Sequence, residues 1–261
     1  MTSLFDVTQV QLETFLLSLF RCAGLMTTAP ILSQKTFPIQ LRFALSMILA
    51  VLIFPFAKPA GFVSPDNLMS LLGVGVTEFL LGALIGFIFY LLFVGVQFAG
   101  GIIGFQIGFA IVNVIDPSTS QNVSIIGQFQ FLIATLVFLI MNGHHMMISG
   151  MIDSFKIVPM ATVHFSFSAI QEMIRISAGV FVIAVKIASP VMLALILTDS
   201  ALGILSRTVP QMNIFIVGFP LKIMIGLFVV GLSLPIMVYV FQGSLVKLED
   251  GLSEIVISLA R

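Results

Sequence analysis

From Phe79 through Ile115 the chain carries no charged residue. A bilayer crossing needs about 20 predominantly apolar residues, so this stretch is long enough to cross and leave residues over. Six apolar segments can be read: Gln11–Pro30, Leu41–Pro55, Leu68–Phe98, Val123–Met141, Ile174–Leu197 and Met212–Phe241. The second is short for a crossing, while the third and sixth are long enough to tilt or to contain a break. Pro190 and Pro235 fall inside the fifth and sixth, where a missing N–H should kink a helix. Hydrophobic residues make up 59% of the chain and charged residues 8%, against roughly 25% charged in a soluble domain. The expectation is an all-α, membrane-type fold of helical hairpins with kinked or broken helices. Loops are short except Asn142–Met173, and no repeat or polar linker separates soluble domains.

Within this apolar frame, Gly100–Gln121 is neither a good membrane helix nor an ordinary loop. Gly100, Gly104 and Gly108 recur every fourth residue, which on a helix makes one bare face for close backbone approach. Asp116-Pro117 then stops any helix. Such a segment belongs either inside an assembly or along a conduit. Irregular backbone at membrane depth is tolerated only where protein buries it or it lines a cavity. Apolar side chains such as Phe105, Ile107 and Phe109 would exclude water and ions from a narrow gap.

Two ordinary membrane signatures are missing. There is no Trp and only Tyr90 and Tyr239, against 26 Phe, so no aromatic belt marks the interfaces. Lys and Arg favour neither side of any consistent topology. Much of the apolar surface is therefore expected to meet other subunits. A formal net charge of zero offers no basic patch for nucleic acid. Cys22 stands alone, which excludes an internal disulfide, and the N-terminus, with Asp6, Glu13 and Arg21, does not read as a secretory signal. The 14 methionines either fill a core or form an adaptable seal.

A charge at membrane depth is costly and usually paired. Arg21, Glu78, Lys186, Asp199, Arg207 and Lys222 are the candidates for buried charge or packing roles. Glu78 is expected to pair with a Lys or Arg near a helix end. Lys186 and Asp199 lie too far apart for a pair on one straight helix, which leaves pairing across a hairpin or between subunits. His144, His145 and His164 lack the His-Glu-x-x-His spacing of a helical zinc site. No Gly-x-Ser-x-Gly elbow or phosphate-binding glycine loop is present. Catalytic, cofactor and metal sites are all expected to be absent, and the chain is not expected to be an enzyme.

Several motifs together resemble one family. LTDSALGILSRTVPQMNIFIVGFPLKI (Leu197–Ile223) is similar to the signature of the FliR family of flagellar biosynthetic proteins, the counterpart of the T-type injectisome export-gate subunit. FLLSLFRCAGLMTTAPILSQKTFPIQLR, GFQIGFAIVNVIDP, NGHH and KIASP extend the likeness through most of the chain, in order.

The resemblance implies a core subunit of a type III protein export gate in the bacterial inner membrane, within the flagellar basal body. Its implied partners are FliP and FliQ in a helical complex, with FlhB and FlhA nearby and unfolded protein as cargo. It implies a FliP-like portion over residues 1–174 and a FliQ-like helical hairpin over 175–261. The loop near 105–122 would plug the resting pore, with Gly104, Phe105, Gln106, Ile107, Gly108, Phe109, Ile111, Val112, Asp116 and Pro117 as its gating residues. Injectisome membership, or a small-solute secondary transporter built on broken helices, are the alternatives.

Overall fold

The computed structural model describes residues 9–34, 37–57, 67–109, 124–163, 166–209 and 214–259. Among them are seven helices and no strand: α1 Gln9–Thr28, α2 Ile39–Ile53, α3 Leu68–Ile107, α4 Ile125–Ile140, α5 Gly143–Ile157, α6 Phe167–Thr208 and α7 Ile214–Ser258. The all-α expectation holds. Among the described residues α3, α6 and α7 are each long and apolar enough to cross a membrane. In the most apolar windows of α6 and α7, 33% and 22% of residues are buried within the chain, so most of that surface is left for lipid or other subunits.

Segment boundaries differ from the sequence reading in three places. α3 passes beyond Phe98 to Ile107 as one helix. α6 and α7 run through Pro190 and Pro235, as the segments read from sequence do, but α6 spans Phe167–Thr208 and α7 reaches Ser258. Pro190 cannot donate to the Lys186 carbonyl four residues back, and Ser189 Oγ donates to that oxygen instead at 3.0 Å. Third, the stretch Asn142–Met173 is not one long loop, because α5 lies inside it. Its buried residues Met147, Gly150, Met151, Ser154 and Phe155 follow the i, i+3, i+4, i+7, i+8 spacing of an amphipathic stripe. The break between α4 and α5 falls at Asn142, whose φ of 57° is left-handed, a conformation Asn adopts more readily than most residues.

The chain divides into two compact units, the first of Met1–Leu91, Asn142–Ser177 and Leu245–Arg261, and the second of Leu92–Met141 and Ala178–Ser244. In the first, α1 and α3 cross almost backbone to backbone. A methyl added at Gly24 would run into the Phe79 carbonyl and Ala83 N, and one at Gly82 into the Arg21 carbonyl. Thr28 Oγ1 donates across this crossing to Ala83 O at 2.8 Å. Leu17, Leu25, Leu81, Ile85 and Ile88 are all buried around it.

The second unit packs around Phe93 of α3. Its ring centroid lies 5.4 Å from Phe131 and Phe138 of α4 and 5.5 Å from Phe241 of α7. Such tilted and edge-on pairs add about 0.5–1.5 kcal/mol each beyond area burial. All four rings are buried.

Candidate functional site

The glycine-spaced segment is where α3 ends, and the sequence explains the stopping point. Gly108 has φ +104°, its N–H donates to Phe105 O at 3.1 Å, and Phe109 N–H donates to Gly104 O at 3.0 Å. This pair of bonds is a Schellman motif with glycine at the left-handed C′ position. Gly108 therefore terminates α3 just after Ile107, beyond Phe98, where the third apolar segment read from the sequence ends. Gly104, Phe105, Gln106 and Ile107 form its last turn.

Within that turn the side chains divide by exposure. Ile107 is fully buried, while Phe105 is 73% exposed. Ile111, Val112, Asp116 and Pro117 lie outside the described residues, as does His164.

Gly100 and Gly104 serve packing. A methyl at Gly100 would collide with the Gly127 backbone of α4, and one at Gly104 with Ser124 Oγ. Ser124 caps α4 by accepting from Gly127 N–H at 3.3 Å, and it donates to Gly100 O at 2.9 Å. One hydroxyl thus satisfies an orphan donor at the start of α4 and ties it to α3. A Ser before an apolar run is the signal that would have flagged this residue.

The charged candidates separate into three groups. Arg21 of α1 and Glu78 of α3 form a fully buried ion pair at 2.5 Å. The guanidinium also donates to Ser154 Oγ at 3.3 Å and Val158 O at 3.2 Å, and sits 4.0 Å from the Phe155 ring centroid. The second carboxylate oxygen of Glu78 accepts from Ala161 N–H at 3.0 Å. Ala161 has φ +64°, a conformation that costs an alanine about 1–2 kcal/mol and that this charge-assisted bond helps to hold. The expectation of a paired Glu78 stands. The pair lies inside α3 rather than near its end, and nothing in the residue pattern marks Ser154, Val158 or Ala161, which only tertiary packing brings to it.

Asp199 of α6 pairs with Lys222 of α7 at 2.5 Å, with side chains 41% and 23% exposed. The pairing across a hairpin that the sequence left open for Asp199 is thus made with Lys222, not with Lys186. It borders an apolar groove of about 370 Å³ that Leu202, Gly203 and Phe219 also line. Lys186 and Arg207 are exposed on the isolated chain.

His144 and His145 stack with ring centroids 4.2 Å apart. Among the described residues no group of three or more His, Cys, Asp or Glu converges in a way that could hold a metal.

Comparison with known proteins places this architecture. Residues 12–248 match the family model described as bacterial export proteins, family 1. The flagellar biosynthetic protein FliR of Bacillus subtilis (strain 168) is 36% identical over 86% of each chain. The proteins of the same name from Aquifex aeolicus (strain VF5) and Escherichia coli (strain K12) are 32% and 31% identical, each over 83% of this chain and 83% and 82% of their own. With most of its length matched, this chain belongs to the FliR family of flagellar biosynthetic proteins within the bacterial export proteins.

Proposed function

We propose that the chain is a core subunit of the flagellar type III export gate in the inner membrane, where it forms with FliP and FliQ the channel for unfolded flagellar subunits. FlhB and FlhA complete the apparatus. Residues 1–174 form the FliP-like portion and 175–261 the FliQ-like hairpin. In support of the hairpin, Arg175 of α6 meets Glu254 of α7 at 3.4 Å, and Asp199 meets Lys222 near the other ends of the same helices. The apolar surface that α6 and α7 leave uncovered suits packing against such subunits. The chain works by shape and contact, without catalysis of its own.

The resting channel is closed by residues at and after the end of α3. The observation that carries this is the Schellman stop at Gly108, which leaves Phe105 exposed on the last turn while Ile107 anchors that turn in the protein. An apolar ring offered from a glycine-terminated helix end obstructs water and ions, and glycine lets the adjoining backbone turn out of line at little cost. Gly104 and Ile107 are buried, so point changes at the exposed ring test closure better than deletion does.

In cells whose only FliR-type protein is this chain, Phe105→Ser combined with Phe109→Ser should leave FliP and FliQ co-purifying. Resting leakage of ions or small solutes should rise at least tenfold. Intact complexes with unchanged leakage would rule out closure by these residues.

A further inference from the structure

The last turn of α3 does not hold its place alone. Ile107 is fully buried, and it lies in a notch in α7 created by the absence of a side chain at Gly226. A methyl built at Gly226 would come within 2.6 Å of Ile107 Cγ1 and 2.7 Å of Cδ1. One residue further on, the Phe219 ring of α7 lies against Gly108, where an added methyl would be 3.1 Å from the ring edge. Phe219 and Gly226 are seven residues apart, two helical turns on one face. They meet two consecutive positions of α3, one on the helix and one at its left-handed stop.

We infer that α7 is a latch on the end of α3, with Phe219 and Gly226 as the positioning residues that set whether the closing turn stays in place. The inference rests on the closure reading above and adds a control element to it. The physical reason lies in what supports the turn. The two Schellman bonds satisfy the carbonyls of Gly104 and Phe105 but hold the turn only to itself. Beyond the Ser124 side chain against Gly104, lateral support comes from apolar contact with α7, Ile107 in the glycine notch and Phe219 over Gly108. Such contacts have no directional hydrogen bond to break, so a small shift of α7 removes both together. Moving the α6–α7 hairpin therefore becomes a way to release the closure without touching it.

The notch gives a direct test. A Cβ at position 226 would lie 3.7 Å from Ile107 Cβ, close to the mean separation of about 3.8 Å in disulfides. In assembled gates carrying Ile107→Cys and Gly226→Cys, mild oxidation with copper phenanthroline should form the bond. Secretion of flagellar proteins should then fall at least tenfold and recover on reduction, while either single cysteine responds to neither treatment. Failure of the bond to form in assembled gates, or normal secretion by oxidised gates with the bond formed, would overturn the latch.

Phe219→Ala should separately raise resting leakage at least fivefold with assembly retained, and Phe219→Leu should restore most of the seal. Leakage unchanged by Phe219→Ala would also count against the latch. The closure reading is tested apart from this by the Phe105 and Phe109 variants. Leakage there together with normal secretion by cross-linked gates would reject the latch alone.

Discussion

In one compact unit α1, α3 and α5 meet at a buried ion pair, whereas in the other α3, α4 and α7 meet through glycines, one serine hydroxyl and phenylalanine rings. The Arg21–Glu78 pair uses the guanidinium and both carboxylate oxygens on three separate segments. Any displacement strands a charge without water, so that unit has one permitted arrangement. At Gly100–Gly127 backbone meets backbone and at Ile107–Gly226 the contact is apolar, while the Ser124 hydroxyl adds a directional bond to Gly100 O. The difference shows where movement is affordable: glycine contacts slip or part without leaving a buried charge unpaired.

The sharpest way to break this comparison is at the ion pair. Glu78→Leu leaves Arg21 charged and buried, a change that costs about 3–5 kcal/mol in comparable buried pairs. The folded chain should largely disappear from membranes, as measured by its accumulation and protease resistance. Adding Arg21→Met should recover much of that loss, since apolar replacement of a whole buried pair is often neutral or stabilising. A well-folded single Glu78→Leu variant would mean that the pair is not what fixes this unit.

A smaller, more local effect is expected at the end of α3. Gly108→Ala forces a side chain onto a backbone at φ +104°, a strain of about 1–3 kcal/mol confined to the helix stop. Accumulation and assembly should persist while resting leakage rises. Loss of the whole chain instead would show that the second unit is as tightly fixed as the first.

Least should happen at Asp199→Asn, because the partly exposed pair with Lys222 is worth at most about 1 kcal/mol. Swimming-ring diameter and chain accumulation should both be close to those of the parent. A severe defect would place this pair in a buried contact of the assembled gate.

The elements were largely legible from the chain, because helices in an apolar setting need only an uninterrupted hydrophobic run and an end signal. α5 is hard to read from hydropathy alone, because an amphipathic stripe with two histidines and four other polar residues, Ser149, Asp153, Ser154 and Lys156, resembles a loop. The end of α3 lies beyond Phe98 because the residues after it stay apolar and helix-compatible up to Gly108, which takes the left-handed conformation that closes the last turn. Of the buried charges, Arg21 and Glu78 were correctly singled out by the cost of isolating them. Lys186 and Arg207 show the limit of that argument, since an apolar neighbourhood in sequence does not fix which way a side chain faces.

What the sequence by itself determined is the class of the protein: an all-helical, apolar, membrane-type chain with a glycine-spaced segment near its middle. Hydropathy and backbone conformational limits act locally and can be read residue by residue. The motifs that run along most of the chain also carried the family. What only the tertiary structure decided is partnership. Arg21 finds Glu78 across fifty-seven positions, and Ile107 finds a notch in a helix more than a hundred residues later. Glycine at 226 reads in sequence as a weak point in a helix, and it becomes a socket only because folding delivers a side chain to fill it.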